Sequence, residues 1–253
     1  MSDSSRSVVS MIDHAILHPT STEEQIRAGC QLARQLQVAS VCVQPLAVRL
    51  AAESLDGSGV GLGTVIGFPH GANLTQSKVM EVRFVCELGA HEVDMVVPIG
   101  RVLDGDWKYV EYDIRSVVDM AHAMGAITKV IFETDYLPSD ELKIRLCEIS
   151  ERAGAEFVKT STGFGYVPQA DGRLASRGAT DHDVRLMRSH VGSQVQVKAS
   201  GGIRSYADAL RMVECGATRL GTSSSEAIAE GERRVAAGDS AGEASGSGAS
   251  GVY

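Results

Sequence analysis

Four times along this chain a glycine–alanine pair closes one segment and opens the next. Leu88-Gly89-Ala90, Met124-Gly125-Ala126, Ala153-Gly154-Ala155 and Cys215-Gly216-Ala217 each precede a short apolar run within about two residues. Glycine just past a helix takes the left-handed backbone conformation that other residues resist. The repeat is about 30 residues long, the size of one β-α unit. Eight runs read as strands: residues 8–16, 38–43, 63–69, 91–98, 127–133, 156–159, 195–199 and 218–221. Gly192 does similar capping work before the seventh. Between them fall helix starts with polar caps: the Thr20–Thr22 region followed by Glu23 and Glu24, Leu46 after Pro45, Thr75, Trp107, Ser139, and the serines 223–225. The short connections leave no room for antiparallel hairpins, so the strands should be parallel. Eight β-α units in about 220 residues make a closed (β/α)8 TIM barrel, an α/β fold in one domain. A doubly wound open sheet is the rival, weakened by the lack of a GxGxxG turn after the first strand.

The expected limits are a disordered N-terminus over residues 1–7, the barrel over 8–237, and a flexible Gly/Ser-rich tail over 238–253 that ends in Tyr253. Residues 164–177 fall outside the repeat and read as a flap over the barrel mouth or a subunit contact. The net charge of −8 argues against a nucleic-acid partner, which would need clustered lysine and arginine. No apolar run approaches the roughly 18 residues of a membrane span, and the first residues lack an adjoining apolar segment of signal type. The five cysteines are scattered and odd in number, with no CxxC pair, so reduced thiols in a cytoplasmic protein are expected. A homodimer is compatible with a barrel exterior, and no residue pattern singles out an interface.

Chemistry concentrates on the strands. Asp94, Lys129, Lys159 and Lys198 each interrupt an apolar run, on strands four to seven. Charged residues are seldom buried unless paired, and neighbouring strands about 4.8 Å apart bring such side chains into contact. Burial and a second ammonium both lower a lysine pKa. Moving it from about 10.4 to about 7 costs the charged form roughly 4.6 kcal/mol. A neutral lysine amine attacks carbonyl carbon, so Lys159 is the candidate for a Schiff base with an aldehyde. The competing reading is structural ion pairing of the lysines with Asp94.

A second signal lies on the loops after strands seven and eight. Gly201-Gly202 follows Lys198, and Gly221, Ser223 and Ser224 open the last helix, with Gly163 able to complete the group. Glycine amides, serine hydroxyls and a helix N-terminus together suit an anion, and barrels often hold phosphate at this place. The competing reading is an ordinary turn with a serine cap. A small phosphorylated carbonyl compound is the expected ligand. His14, His18, His70, His91 and His182 form no HExxH or zinc-type cluster. No metal and no cofactor is therefore expected.

These residues resemble the deoxyribose-phosphate aldolases. The likeness runs from Ile12-Asp13-His14 through Gly67-Phe68-Pro69-His70-Gly71, Glu92-Val93-Asp94 and Lys129-Val130-Ile131-Phe132-Glu133-Thr134. It continues through Lys159-Thr160-Ser161-Thr162-Gly163 and Lys198-Ala199-Ser200-Gly201-Gly202 to Gly221-Thr222-Ser223-Ser224. The resemblance implies a metal-free class I aldolase. Its reaction would interconvert 2-deoxy-D-ribose 5-phosphate with acetaldehyde and D-glyceraldehyde 3-phosphate, in deoxynucleoside catabolism. Carried over by position, Lys159 is the Schiff-base lysine and Lys198 the lysine that keeps it neutral. Asp94 is the acid of the proton relay, with Lys129 and Asp13 in support. Tyr253 is a terminal tyrosine proposed in the family to protonate the enamine. Two departures stand out: Ala15 where the family usually has threonine, and the long 164–177 loop. That loop leaves open another phosphorylated aldehyde as substrate. A non-catalytic phosphosugar-binding barrel is the alternative of a different class.

Overall fold

The computed structural model describes residues 7–168 and 171–238. Eight parallel strands close into a barrel: β1 (Ile12–Ile16), β2 (Ser40–Val43), β3 (Gly61–Ile66), β4 (Glu92–Val96), β5 (Ile127–Ile131), β6 (Phe157–Lys159), β9 (Gln196–Ser200) and β10 (Arg219–Thr222). Pairing follows chain order and ends with β10 against β1. Around the barrel lie α1 (Glu23–Leu36), α2 (Val48–Leu55), α3 (Thr75–Glu87), α4 (Ile99–Leu103), α5 (Trp107–Ala123), α6 (Asp140–Ala153), α7 (Asp181–Ser189), α8 (Tyr206–Glu214) and α9 (Ser225–Ala236). Among the described residues no helix is long and apolar enough to cross a membrane.

Local chemistry explains the boundaries. Thr22 and Gln25 form a capping box on α1, with Glu23 and Glu24 in its first turn. Gly89, Gly125, Gly154 and Gly216 all have positive φ, as the repeated helix endings require. Gly192 does not belong with them. It lacks a positive φ, and its amide donates to Glu151 Oε1 at 3.0 Å.

Other expectations need correction. The first strand begins at Ile12, because Val9–Met11 is a 3-10 turn whose Met11 amide donates back to Val8 O. Ser7 is not free of the fold: its hydroxyl and the Val8 amide both donate to Glu232 of α9, at 2.6 and 2.7 Å. Residues 1–6 and 239–253, and with them most of both expected flexible ends and Tyr253, lie outside the described residues. The 164–177 segment contains an antiparallel pair, β7 (Val167–Pro168) with β8 (Leu174–Ala175). A hairpin is therefore present, but as an addition to the barrel and not within its wall.

The main apolar core lies between the barrel and its helices and includes Val93, Val130, Val158, Val197, Ile114, Leu146 and Met187. One ion pair crosses it. Lys78 of α3 is fully buried, 2.7 Å from Asp113 of α5, and also donates to Val96 O at 2.9 Å. Thr75 Oγ1 donates to the other Asp113 oxygen at 2.7 Å. Removing one member of such a pair strands a buried charge. Lys78→Ala is expected to lower unfolding free energy by about 3–5 kcal/mol in urea titration. The double change Lys78→Met with Asp113→Leu should lose much less.

Candidate active site

Strand register sets the site in two layers. Asp94 of β4 stands level with Lys129 of β5, and Lys159 of β6 stands level with Lys198 of β9. Ile131 aligns with Lys159, so Lys129 sits two residues deeper than Lys159. Asp94 joins the layers. Its Oδ1 accepts from Lys129 Nζ at 2.7 Å, and its Oδ2 accepts from Lys159 at 2.8 Å and Lys198 at 2.7 Å. Asp13 of β1 closes the ring, with Oδ2 at 2.5 Å from Lys198 Nζ and 3.4 Å from Lys129 Nζ. All five side chains are buried.

The three ammonium groups are not equivalent. Lys129 lies near the carboxylates of Asp13, Glu92 and Asp94, Lys198 near those of Asp13 and Asp94, and Lys159 near Asp94 alone. Burial works against every charge here. For Lys129 the carboxylates of Asp13, Asp94 and Glu92 outweigh it, and for Lys198 those of Asp13 and Asp94 do, so both pKa values rise. For Lys159 burial wins: Asp94 opposes it, the Lys198 ammonium adds to it, and the pKa falls. Asp94 itself is held well below the usual carboxylate range, since Lys129, Lys159 and Lys198 overcome its burial. With Arg219 included, Lys129, Lys159 and Lys198 make four cations against Asp13, Glu92 and Asp94. Deprotonating Lys159 balances the cluster.

A cavity of about 360 Å³ opens above this network, with Lys159, Lys198, Asp13 and Cys42 in its wall. Gly163, Gly201, Gly202, Gly221 and Ser223 line it too, as the sequence suggested. Gly163, Gly201 and Gly202 have positive φ. Among the described residues no hydrogen bond engages the amides of Gly202 and Ser223. Gly221 serves differently: a Cβ there would press on Ser200 and on the Lys198 stem. Ser224 is the exception. It is not part of the cavity wall, and its amide donates to Thr222 Oγ1 at 2.9 Å. The opposite wall is apolar, with Ala15, Leu17 and Cys42, and Phe164 packs edge-on against Phe68 at 5.2 Å.

A buried lysine with a lowered pKa, a carboxylate shared with a second lysine, and free amides across a small cavity fit an enzyme acting on carbonyl compounds. Comparison with known proteins agrees. Residues 7–246 match the DeoC/LacD family aldolase profile. The chain belongs to the DeoC/LacD family of aldolases. It is thus an enzyme, a carbon–carbon lyase. A deoxyribose-phosphate aldolase of Thermococcus gammatolerans is 50% identical over 230 residues, covering 90% of this chain and 97% of that protein. One of Bacillus cytotoxicus is 49% identical over 221 residues, covering 87% and 94%. Among solved structures, the deoxyribose phosphate aldolase of Aeropyrum pernix, described as tetrameric, superposes with a TM-score of 0.80 at 32% identity. That match covers 90% of this chain and 92% of the other. An aldolase designated QR15 gives 0.82 at 36%, covering 94% and 99%.

Several residues of this DeoC/LacD aldolase site escaped the sequence reading. Glu92 forms ion pairs with Lys129 at 2.7 Å and Arg219 at 3.2 Å, and Arg219 Nη1 donates to Asp13 Oδ1 at 2.5 Å. Ser40 donates to the same Asp13 oxygen at 2.6 Å. Glu92 lies two residues before Asp94 and so on the same strand face, which is the signal that could have found it. The Cys42 thiol, pushed up to about 11 by burial and then by Asp94, stays protonated. His14 is buried on the helix side, its Nδ1 2.8 Å from Ser225 Oγ, and burial pushes it down to about 4. His182 approaches Asp140 and Asp183, but Asp183 already pairs with Lys143 at 2.6 Å and the group does not line the cavity.

The floor of the site tests the charge balance. Arg219→Met removes a cation, so the Lys159 ammonium is better tolerated and its pKa rises. The acid-side midpoint of kcat/KM should move up by about half a unit to one unit, a Coulomb effect of roughly 1 kcal/mol. Glu92→Gln removes an anion and should move the midpoint down. Shifts of the same sign in both pH profiles would contradict the balance.

Proposed function

We propose that this aldolase cleaves 2-deoxy-D-ribose 5-phosphate reversibly to acetaldehyde and D-glyceraldehyde 3-phosphate, with Lys159 as the nucleophile. The observation that carries the reading is the position of Lys159: lowered in pKa, sharing Asp94 Oδ2 with Lys198, and facing a cavity lined by glycine loops. The Lys159 amine adds to the C1 aldehyde of the open-chain sugar, and water leaves to give an iminium. The C3 hydroxyl loses its proton, the C2–C3 bond breaks, and its electron pair enters the iminium to form an enamine. Glyceraldehyde 3-phosphate departs. Protonation at C2 restores an iminium, which water hydrolyses to acetaldehyde and the free amine.

Asp94 and Lys198 move the protons in this scheme. Their 2.7 Å contact lets Asp94 take a proton from the C3 hydroxyl through water and lets Lys198 return one. Lys129 and Asp13 hold that pair in place. Gly163, Gly201, Gly202, Gly221 and Ser223 surround the phosphate. The Ser224 amide is taken by Thr222, which leaves its hydroxyl for the phosphate, and Tyr253 lies outside the described residues as a donor suggested by family resemblance. Reduced cysteines, four of them buried, fit a cytoplasmic enzyme. Exposed Leu74, Met80 and Phe84, at the head of α3 and along it, suit a contact between two copies. Light scattering on the eluted protein should give at least a dimer mass, and a monomer at all concentrations would refute that contact.

Borohydride reduction in the presence of deoxyribose 5-phosphate should leave a covalent adduct on Lys159, located by peptide mass and lost in Lys159→Ala. An adduct on Lys198 would reverse the two lysine roles. No adduct on the folded protein would overturn the reading for this substrate.

A further inference from the structure

The glycine loops that line the cavity do not hold themselves in place. Gly163, Gly201 and Gly202 sit in left-handed conformations, and glycine is the residue with most backbone freedom to lose. Ser200 Oγ donates to Ser161 O and Thr222 Oγ1 to Ile203 O, and further ties come from the turn after β5, a short 3-10 segment at Thr134–Tyr136. Glu133, itself left-handed at φ 58, opens this turn, and Asp135 lies within it. Neither lines the cavity.

Glu133 controls the entrance to the loop after β6. Its Oε1 accepts the Thr162 amide at 3.2 Å, and its Oε2 accepts the Thr162 hydroxyl. Thr162 Oγ1 in turn accepts the Phe164 amide at 2.9 Å, so Gly163 is held between two fixed neighbours. Gly165 packs so closely on the Glu133 carboxyl that a Cβ there would collide with it. Burial pushes this carboxyl up to about 7 against the two Thr162 hydrogen bonds.

Asp135 controls the exit of the same segment. It accepts the Ser176 hydroxyl at 2.8 Å, the Arg177 amide at 3.1 Å, Arg177 Nε at 3.2 Å and the Gly178 amide at 3.1 Å. The next residue, Ala179, donates to Gly201 O at 3.1 Å, and Gly178 lies directly against Gly201. Arg177 O faces Gly202. The turn also ties to the deeper part of the loop, through Thr134 N to Thr160 O at 3.0 Å.

We propose that Glu133 and Asp135 are positioning residues for phosphate recognition, clamping Gly163 from one side and Gly201-Gly202 from the other. This rests on the reading that these glycines receive the substrate phosphate. The carboxylates act at a distance from the phosphate, and their charge is spent on N–H and O–H donors. Among the described residues, neither forms an ion pair with Lys159 or its network, and the Lys159 charge is the last of the influences on Glu133, so the clamp governs binding of the phosphorylated end more than Schiff-base chemistry.

The test compares the phosphorylated sugar with unphosphorylated 2-deoxyribose, using borohydride trapping rates at increasing sugar concentration. Asp135→Asn turns an acceptor into a donor facing other donors. It should raise half-saturation for deoxyribose 5-phosphate about tenfold, the loss of one or two hydrogen bonds, with the maximal trapping rate within about twofold of wild type. The same variant should trap 2-deoxyribose as wild type does. Thr162→Val keeps the side-chain shape and the amide bond to Glu133, removes the hydroxyl that joins Glu133 to the Phe164 amide, and should show a phosphate-selective loss in the same direction. Glu133→Gln keeps an acceptor for the Thr162 amide and should restore most of the affinity lost in Glu133→Ala. Equal losses on both sugars, or no loss on either, would overturn the clamp while leaving the Lys159 adduct intact. A wild-type protein that traps neither sugar would instead remove the aldolase reading on which the clamp depends.

Discussion

The carboxylate of Asp94 receives three lysine ammonium groups inside a closed barrel, and the site is arranged around that shared acceptor. One carboxylate cannot neutralise three cations. The remaining counter-charge comes from Asp13 and Glu92, and it is distributed unevenly. Lys129, Lys198 and Arg219 share it. Lys159 is left with the smallest share and the most open position, at the end of a strand where the cavity begins. Its chemistry therefore follows from position in a ring of charges more than from any feature of its own side chain. A lysine placed one layer deeper, at position 129, is held as a cation by the same carboxylates.

Much of this was legible in the chain. Glycine caps set the repeat, and each of the four Gly-Ala endings is a left-handed helix terminus. Ionisable residues inside apolar strands marked the interior, and Asp94, Lys129, Lys159 and Lys198 do meet. What could not be read were features decided by neighbours distant in sequence. Val8–Met11 has the composition of a strand, but the pull of Glu232, more than 220 residues away, accompanies a 3-10 turn there. Gly192 looks like a cap until Glu151 is seen to bind its amide. Ser224 offers an amide and a hydroxyl to an anion until Thr222 is seen to take the amide. Arg219 sits at the start of a short strand, where the pattern alone does not show that it meets Asp13 of the neighbouring strand and reaches Glu92 across the barrel floor.

The long segment after β6 shows the same limit from another side. It read as a long loop, a flap over the barrel mouth or a subunit contact. Its anchoring comes from Glu133 and Asp135 on a neighbouring connection, where Glu133 falls within a family-like stretch but nothing marks either residue as an anchor. Loops can be held by carboxylates as firmly as by an apolar face, because each oxygen accepts more than one donor. The Asp135 side chain does this with the Ser176 hydroxyl, two amides and a guanidinium N–H. Such an anchor fixes backbone position without filling the cavity.

Barrel interiors of this class are usually packed with branched apolar side chains, and replacing a buried ionic cluster by apolar residues of similar volume is often neutral or stabilising. This barrel has its apolar core outside the strands and charges within them. Stability alone does not account for that choice. The charges require each other: removing Asp94 would leave Lys129, Lys159 and Lys198 close together with one common acceptor missing. Removing Lys198 would leave Asp13 and Asp94 with less compensation. A cluster so interdependent tolerates loss of one proton more readily than loss of one residue. The proton at Lys159 is the one whose departure brings the four cations level with the three carboxylates. An apolar interior could hold the same strands together, but it would offer no lysine whose proton is made easier to lose by burial and a neighbouring ammonium.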